Sequence, residues 1–182
     1  MALAQGDLLL DGWFVERLLP DGAVRFSRAP SVDRRRALSR LVVMGGCLAV
    51  TLALLGVSAR DADNLWVLTW TVIVLFGLTA GVAGLAAVRD LRLAALGVFL
   101  EVDPPAGVVR GVLAGEGVLG QFSVSRVEVP RASVAFTLVA FDERKDGSGM
   151  LVVKRASGGQ LLAPDLPSLD EVRPLLARLS AA

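Results

Sequence analysis

Two long runs without a formal charge, Leu41 to Ser58 and Leu65 to Val88, constrain this 182-residue chain more than any other feature. Between them lies a short polar segment, Arg60-Asp61-Ala62-Asp63-Asn64. At ~1.5 Å of rise per helical residue, runs of 18 and 24 residues reach roughly 27 and 36 Å, against a hydrocarbon core of about 30 Å. The pattern predicts a transmembrane hairpin, the longer span fitting by tilt. Met1 to Leu10 carry no basic segment and only a three-leucine stretch, unlike a secretory signal, so the chain is expected to keep both spans.

Flanking charge predicts the orientation. Arg34, Arg35, Arg36 and Arg40 precede the first run and Arg89 and Arg92 follow the second, whereas the connecting segment sets one arginine against two aspartates. Basic residues near span ends stay cytoplasmic, so both termini are expected there, in the cell inner membrane. The six arginines are topology determinants and also candidate contacts for anionic lipid headgroups. Trp66 and Trp70, one helical turn apart, fall at the opposite interface, either as headgroup-level anchors or with one ring packed on the first helix.

Small residues recur at helical spacing in both runs: Gly46, Ala49, Ala53 and Gly56 in the first, Gly77, Gly81 and Gly84 in the second. Where the hydrophobic effect gives helices little reason to associate, such stripes permit close backbone approach. Packing of the two spans on each other is the simplest use, and an interface with a second copy is the other. Neither run holds an ionisable side chain of the kind an ion or proton pathway needs. Cys47, the single cysteine, reads as a small apolar residue within the first span.

From Leu93 onward the pattern changes to polar and apolar alternation with turn punctuation. Strands are predicted over Gly97 to Asp103, Val108 to Ala114, Phe122 to Val129, Ser133 to Phe141, Met150 to Arg155 and Gln160 to Ala163. The continuous apolar stretch from Ser133 is expected at the centre of the sheet. Gly158-Gly159 predicts a tight hairpin turn. Ser168 with Glu171 matches a capping box before a helix whose Leu169, Val172, Leu175, Leu176 and Leu179 share a face, with Pro174 bending it or delaying its start. Upstream of the spans, Trp13 to Arg17 and Ala23 to Arg28 predict a hairpin about Pro20-Asp21-Gly22. A lone hairpin is marginal in water, so it is expected either to dock on the C-terminal domain or to act as an arm that orders on a partner.

Candidate chemistry is sparse. The chain has no histidine and no tyrosine, which removes the commonest general base and metal ligand. No phosphate loop, dinucleotide fingerprint or nucleophile elbow occurs. Catalytic and metal sites and cofactors are therefore not expected. Net charge is +1, and nine basic residues face ten acidic ones from Leu93 to Ala182, so a nucleic-acid footprint is not expected either. Arg126, Arg131, Lys154 and Arg155 are the candidates to line a phosphate-binding sheet face.

A resemblance adds to this reading. Gly12-Trp13-Phe14-Val15-Glu16-Arg17 with Asp21-Gly22-Ala23-Val24-Arg25-Phe26 precede the spans, and Phe99-Leu100-Glu101-Val102-Asp103 follows them. With Lys154 to Leu162 and the final helix, this layout resembles a group of poorly characterised bacterial inner-membrane proteins in which a transmembrane hairpin leads into a cytoplasmic pleckstrin-homology-like (PH-like) domain. The resemblance implies an α+β membrane protein with a segment over 1–36, a membrane hairpin over 37–92, and an antiparallel PH-like domain over 93–182 closed by its C-terminal helix. It carries no catalytic residue and no ligand. The expected role is a non-enzymatic scaffold in contact with the bilayer and a protein partner, with self-association open. The alternative is an accessory subunit recognised through its helices.

Overall fold

A computed structural model of the protein describes residues 4–19, 23–58, 66–114, 123–141 and 148–168, together with Arg173 and Ala177. Its elements run β1 (Trp13–Leu18), β2 (Val24–Arg28), α1 (Pro30–Ser58), α2 (Trp66–Leu96), β3 (Phe99–Asp103), β4 (Val108–Ala114), β5 (Val124–Pro130), β6 (Val134–Ala140), β7 (Gly149–Arg155), β8 (Gln160–Leu161) and β9 (Asp165–Leu166). The chain divides into two compact units. One is Met1–Val32 with Leu93–Ala182, and the other is Asp33–Arg92.

The first unit is one curled antiparallel sheet, ordered β1-β2-β3-β4-β8-β7-β6, with β5 along β4 and β9 along β7. Strands on either side of the long helices are neighbours in it. Val24, Arg25, Phe26 and Ser27 pair with Val102, Glu101, Leu100 and Phe99, and the Arg28 N–H donates to the Val98 carbonyl at 2.9 Å. Alternation explains much of the core: Trp13 and Val15, Val24 and Phe26, and Leu100 and Val102 each stand two apart on their strands, and with Val109, Val112, Val153, Leu161 and Leu166 they form a single buried cluster. The free edge of β1 is covered locally. Gly6 and Leu9 N–H groups donate to the Val15 and Trp13 carbonyls, and Val15 N–H returns a bond to Asp7, which removes an exposed ladder.

The junctions with the helices are built from glycines in the left-handed region. Gly12, at φ +74°, accepts a hydrogen bond from the Ala29 N–H, and a Cβ there would lie 2.4 Å from Val32 Cγ2. Gly97, at φ +69°, ends α2 by donating to the Leu93 carbonyl, the single bond of a left-handed helix cap. Arg126 donates to the last carbonyl of α2, at Leu96. A cation at a helix C-terminus is also favoured by the helix dipole.

Two sheet expectations change. β6, expected to be central, ends the sheet path and among the described residues pairs only with β7. Ala135, Thr137 and Val139 are exposed, so the apolar run is one-sided; small and weakly apolar residues occupy its outer face. The last strand, expected over Gln160 to Ala163, stops at Leu161 as β8, which joins β4 to β7, and after Leu162-Ala163-Pro164 a further, unexpected strand, β9, pairs along β7. That break lets the sheet curl. The expected terminal helix, apart from Arg173 and Ala177, lies outside the described residues, as do the turns at 20–22 and 142–147.

The second unit is the body of α1 and α2, 29 and 31 residues long, which continue beyond the apolar runs into the arginine clusters. Both are long and apolar enough to cross a membrane, and only 6% and 17% of their most apolar windows are buried. Core helices of a soluble domain bury far more. The less exposed positions recur at intervals of three and four: Ala37, Arg40, Met44, Cys47, Thr51 and Leu54 on α1, and Thr69, Ile73, Phe76, Ala80, Ala83, Ala87 and Asp90 on α2. This heptad spacing is that of left-handed helix pairs. Thr51 and Thr79 donate their hydroxyls to the carbonyls of Cys47 and Leu75, so neither needs water.

The small-residue stripes differ from their simplest expected use. Gly46, Ala49, Ala53 and Gly56 are exposed and lie, at 100° per residue, roughly half a turn round α1 from its seam. A Cβ at Gly46, Gly56, Gly77 or Gly81 would meet no atom within 4 Å, whereas one at Gly84 would lie 3.0 Å from Met44 Sδ. Gly84 is thus the stripe residue that takes a large side chain from the other helix. Over the same stretch the α1 seam instead uses Met44, Cys47, Thr51 and Leu54.

Candidate functional site

The arginine-bearing end of the helical unit gathers opposite charges from residues distant in sequence. Arg34, Arg35 and Arg92 are exposed; Arg36, Arg40 and Arg89 are half-buried. Two carboxylates accompany them, Asp33 at 1% and Asp90 at 3% exposure. Arg40 Nη1 lies 2.9 Å from Asp90 Oδ2 and donates to the Ala86 carbonyl at 3.1 Å. A buried carboxylate is costly unless paired, and here the cation comes from the other helix. Counting residues finds the arginines but misses Asp33 and Asp90, which lie among them; the cue is two acids inside basic clusters.

Of the expected interface tryptophans, Trp70 is half exposed on α2. Trp66 is the first residue of α2, and its side chain lies outside the described set.

The outer face of the sheet carries an alternating ladder of charge across five strands. Glu16 on β1 meets Arg25 on β2 at 2.8 Å; Arg25 meets Glu101 on β3 at 3.5 Å; Glu101 meets Arg110 on β4 at 3.4 Å; Arg110 meets Glu128 on β5 at 2.6 Å. Register creates it, since Arg25 stands opposite Glu101, Glu101 opposite Arg110, and Arg110 opposite Glu128. Glu16 is the extra residue at the register shift between Val15 and Arg17, and it also accepts from the Ser27 hydroxyl. Arg110 is held above its ordinary pKa by its hydrogen bond to Glu128 and by that carboxylate's charge, so it stays a cation at any working pH. Solvent screens these exposed pairs, so each adds little on its own, but a one-residue slip of any strand would turn its charges towards the core.

This ladder decides what the face can bind. Within the ladder three carboxylates surround two guanidiniums, so Arg25 and Arg110 are already engaged. Two of the remaining basic residues considered for phosphate binding are used otherwise. Arg126 stacks 5.6 Å from the Phe99 ring centre, beside Arg25 at 4.7 Å, and Arg131 stacks 4.7 Å from Phe136 while donating to the Val134 carbonyl. Lys154 is exposed and Arg155 half-buried on the same strand. Among the described residues no three His, Cys, Asp or Glu side chains group as metal ligands. No protein-family model, curated protein or solved structure matches this chain.

Proposed function

We propose that the protein is a non-enzymatic, membrane-anchored interaction module: a helical hairpin in the inner membrane presents a PH-like sheet, closed by the C-terminal helix, to the cytoplasm and to a protein partner. One observation carries this reading. The chain enters α1 from β2 and returns from α2 into β3, and β2 and β3 are hydrogen-bonded neighbours. A hairpin that crosses a bilayer therefore leaves both chain ends on one side, and the arginine clusters favour the cytoplasmic side. The exposed apolar surface of α1 and α2, including Leu52 at 67% and Leu78 at 66%, suits lipid rather than water. A non-catalytic role fits the ladder, where Arg25 and Arg110 engage Glu16, Glu101 and Glu128. The charge balance gives nucleic acid no foothold.

A second reading, an accessory subunit recognised through its helices, is favoured by the exposed Gly46, Ala49, Ala53 and Gly56 face, which suits another helix of a partner or of a second copy. Photo-crosslinkers at Thr137 on the sheet and at Ala53 on α1, in the full chain in cells, separate the two. Protein adducts from Thr137 but not Ala53 are expected; adducts from Ala53 alone would favour the second reading and contradict the first.

A further inference from the structure

Along α2, Leu78, Thr79, Val82, Ala83 and Ala86 line an open groove of about 510 Å³ with Arg40 from α1. Its volume falls in the range of small-molecule sites, ~300–1,000 Å³. The walls are aliphatic except at Thr79, whose hydroxyl is taken by the Leu75 carbonyl, and at Arg40. From Ala86 to Leu78 the groove follows about 12 Å of helix axis. One end thus holds a cation and the rest an apolar trough, with Leu78 and Val82 largely exposed.

We infer that this groove seats one anionic phospholipid, its phosphate on Arg40 and one acyl chain along Ala86, Val82 and Leu78. The inference rests on the membrane reading above, which puts Arg40 at the depth of the cytoplasmic headgroups and Leu78 in the hydrocarbon. The chemistry of the occupant follows from the two ends: an amphiphile with a negative head fits both, whereas a soluble anion uses only one. The Ala86 carbonyl accepts from Nη1 of Arg40, the Asp90 carboxylate lies beside the same atom as its ion-pair partner, and among the described residues Nε and Nη2 make no hydrogen bond. Those donors suit a phosphate. Asp90 is the acid facing the headgroup position; Asp33, Arg36 and Arg89 are the other charged groups of this end that are not exposed. Six arginines against these two acids leave the end positive, which attracts anionic lipid in general. The groove adds one defined place, with a stoichiometry and a dependence on the chain that diffuse attraction lacks.

Native mass spectrometry of the full chain in mild detergent, with equimolar phosphatidylglycerol and phosphatidylcholine, tests this. One phosphatidylglycerol per chain is expected, preferred about fivefold, the ratio that one basic contact near a membrane surface supplies. Val82→Trp, which fills the groove, should remove the adduct, and Leu78→Trp gives a second blockade should the first fail to fold. Val88→Trp, on the far side of the same helix, should keep it. Arg40→Gln with Asp90→Asn, which neutralises the pair together, should leave the two lipids bound equally, and millimolar inorganic phosphate should not compete. An unchanged preference in both groove variants or in the neutralised pair, or competition by phosphate, would overturn the seat. Alkaline carbonate separates this from the reading beneath it. A chain that it extracts from membranes contradicts both; a chain that stays but takes both lipids equally contradicts the seat alone.

Discussion

A fragment from Leu93 to Ala182 is expected not to fold, whereas a chain lacking only Asp33–Arg92, with Val32 joined to Leu93 by a flexible linker of about eight residues, is expected to fold as a soluble β domain. The first cut removes β1 and β2, and with them Trp13, Val15, Val24 and Phe26, each no more than 2% exposed. A fully buried large apolar side chain contributes about 1.5–3 kcal/mol, so four of them match the whole stability of a typical domain, about 5–15 kcal/mol. The cut also bares the β3 edge, a row of unpaired backbone groups. Excision of the helical unit removes neither, and a Gly/Ser linker of that length reaches roughly 15 Å. Circular dichroism and thermal melting of both proteins check this: a cooperative β-rich transition is expected in the excised chain and none in the fragment. Equal folding of the two would mean that the N-terminal strands are an accessory to the domain and not part of it.

Arg40→Met alone is expected to destabilise the helical unit by about 2–4 kcal/mol, less than the roughly 3–5 kcal/mol for breaking a fully buried ion pair because Arg40 is itself 39% exposed. The change leaves the Asp90 carboxylate, 5% exposed, without its cation. Arg40→Met with Asp90→Leu removes both charges and should recover most of the loss, since an apolar pair of similar volume is often as stable as a buried salt bridge. Thermal unfolding of the full chain in detergent, followed by the helical signal, measures both. Equal losses in the single and double variants would show that Arg40 acts through its packing and not through Asp90.

What can be read from the sequence follows from the range of each signal. β4 runs from Val108 to Ala114, the bounds expected from the sequence, because Pro104-Pro105 and Gly107 punctuate one end of an apolar stretch. The N-terminal hairpin is legible from its turn chemistry. β6 is misplaced by sequence reading because an uninterrupted apolar run says nothing about whether both faces are covered, and Ala135, Thr137 and Val139 face outward. The charge ladder depends on the register of five strands, which no single strand reveals; Arg126 and Glu128 are visible as an outer face, but Arg110 on Glu128 is not. The helix pair shows the same limit. Apolar character is a property of each run and is easily read, but which face meets the partner depends on rotation. Residue size alone points to Gly46, Ala49, Ala53 and Gly56, whereas the contacts fall at Arg40 and Met44.

In the proposed topology α1 and α2 cross a bilayer as a hairpin inserted into one sheet, with that sheet on the cytoplasmic side. Cysteine labelling tests it most directly. In a Cys47→Ser background, one variant carries Asn64→Cys, between the helices, and another carries Thr137→Cys, exposed on β6. An impermeant maleimide added to cells with an accessible inner membrane should label the Asn64→Cys variant at once and the Thr137→Cys variant only after the membrane is permeabilised. Labelling of the Thr137→Cys variant without permeabilisation, or of neither variant until permeabilisation, would contradict the account.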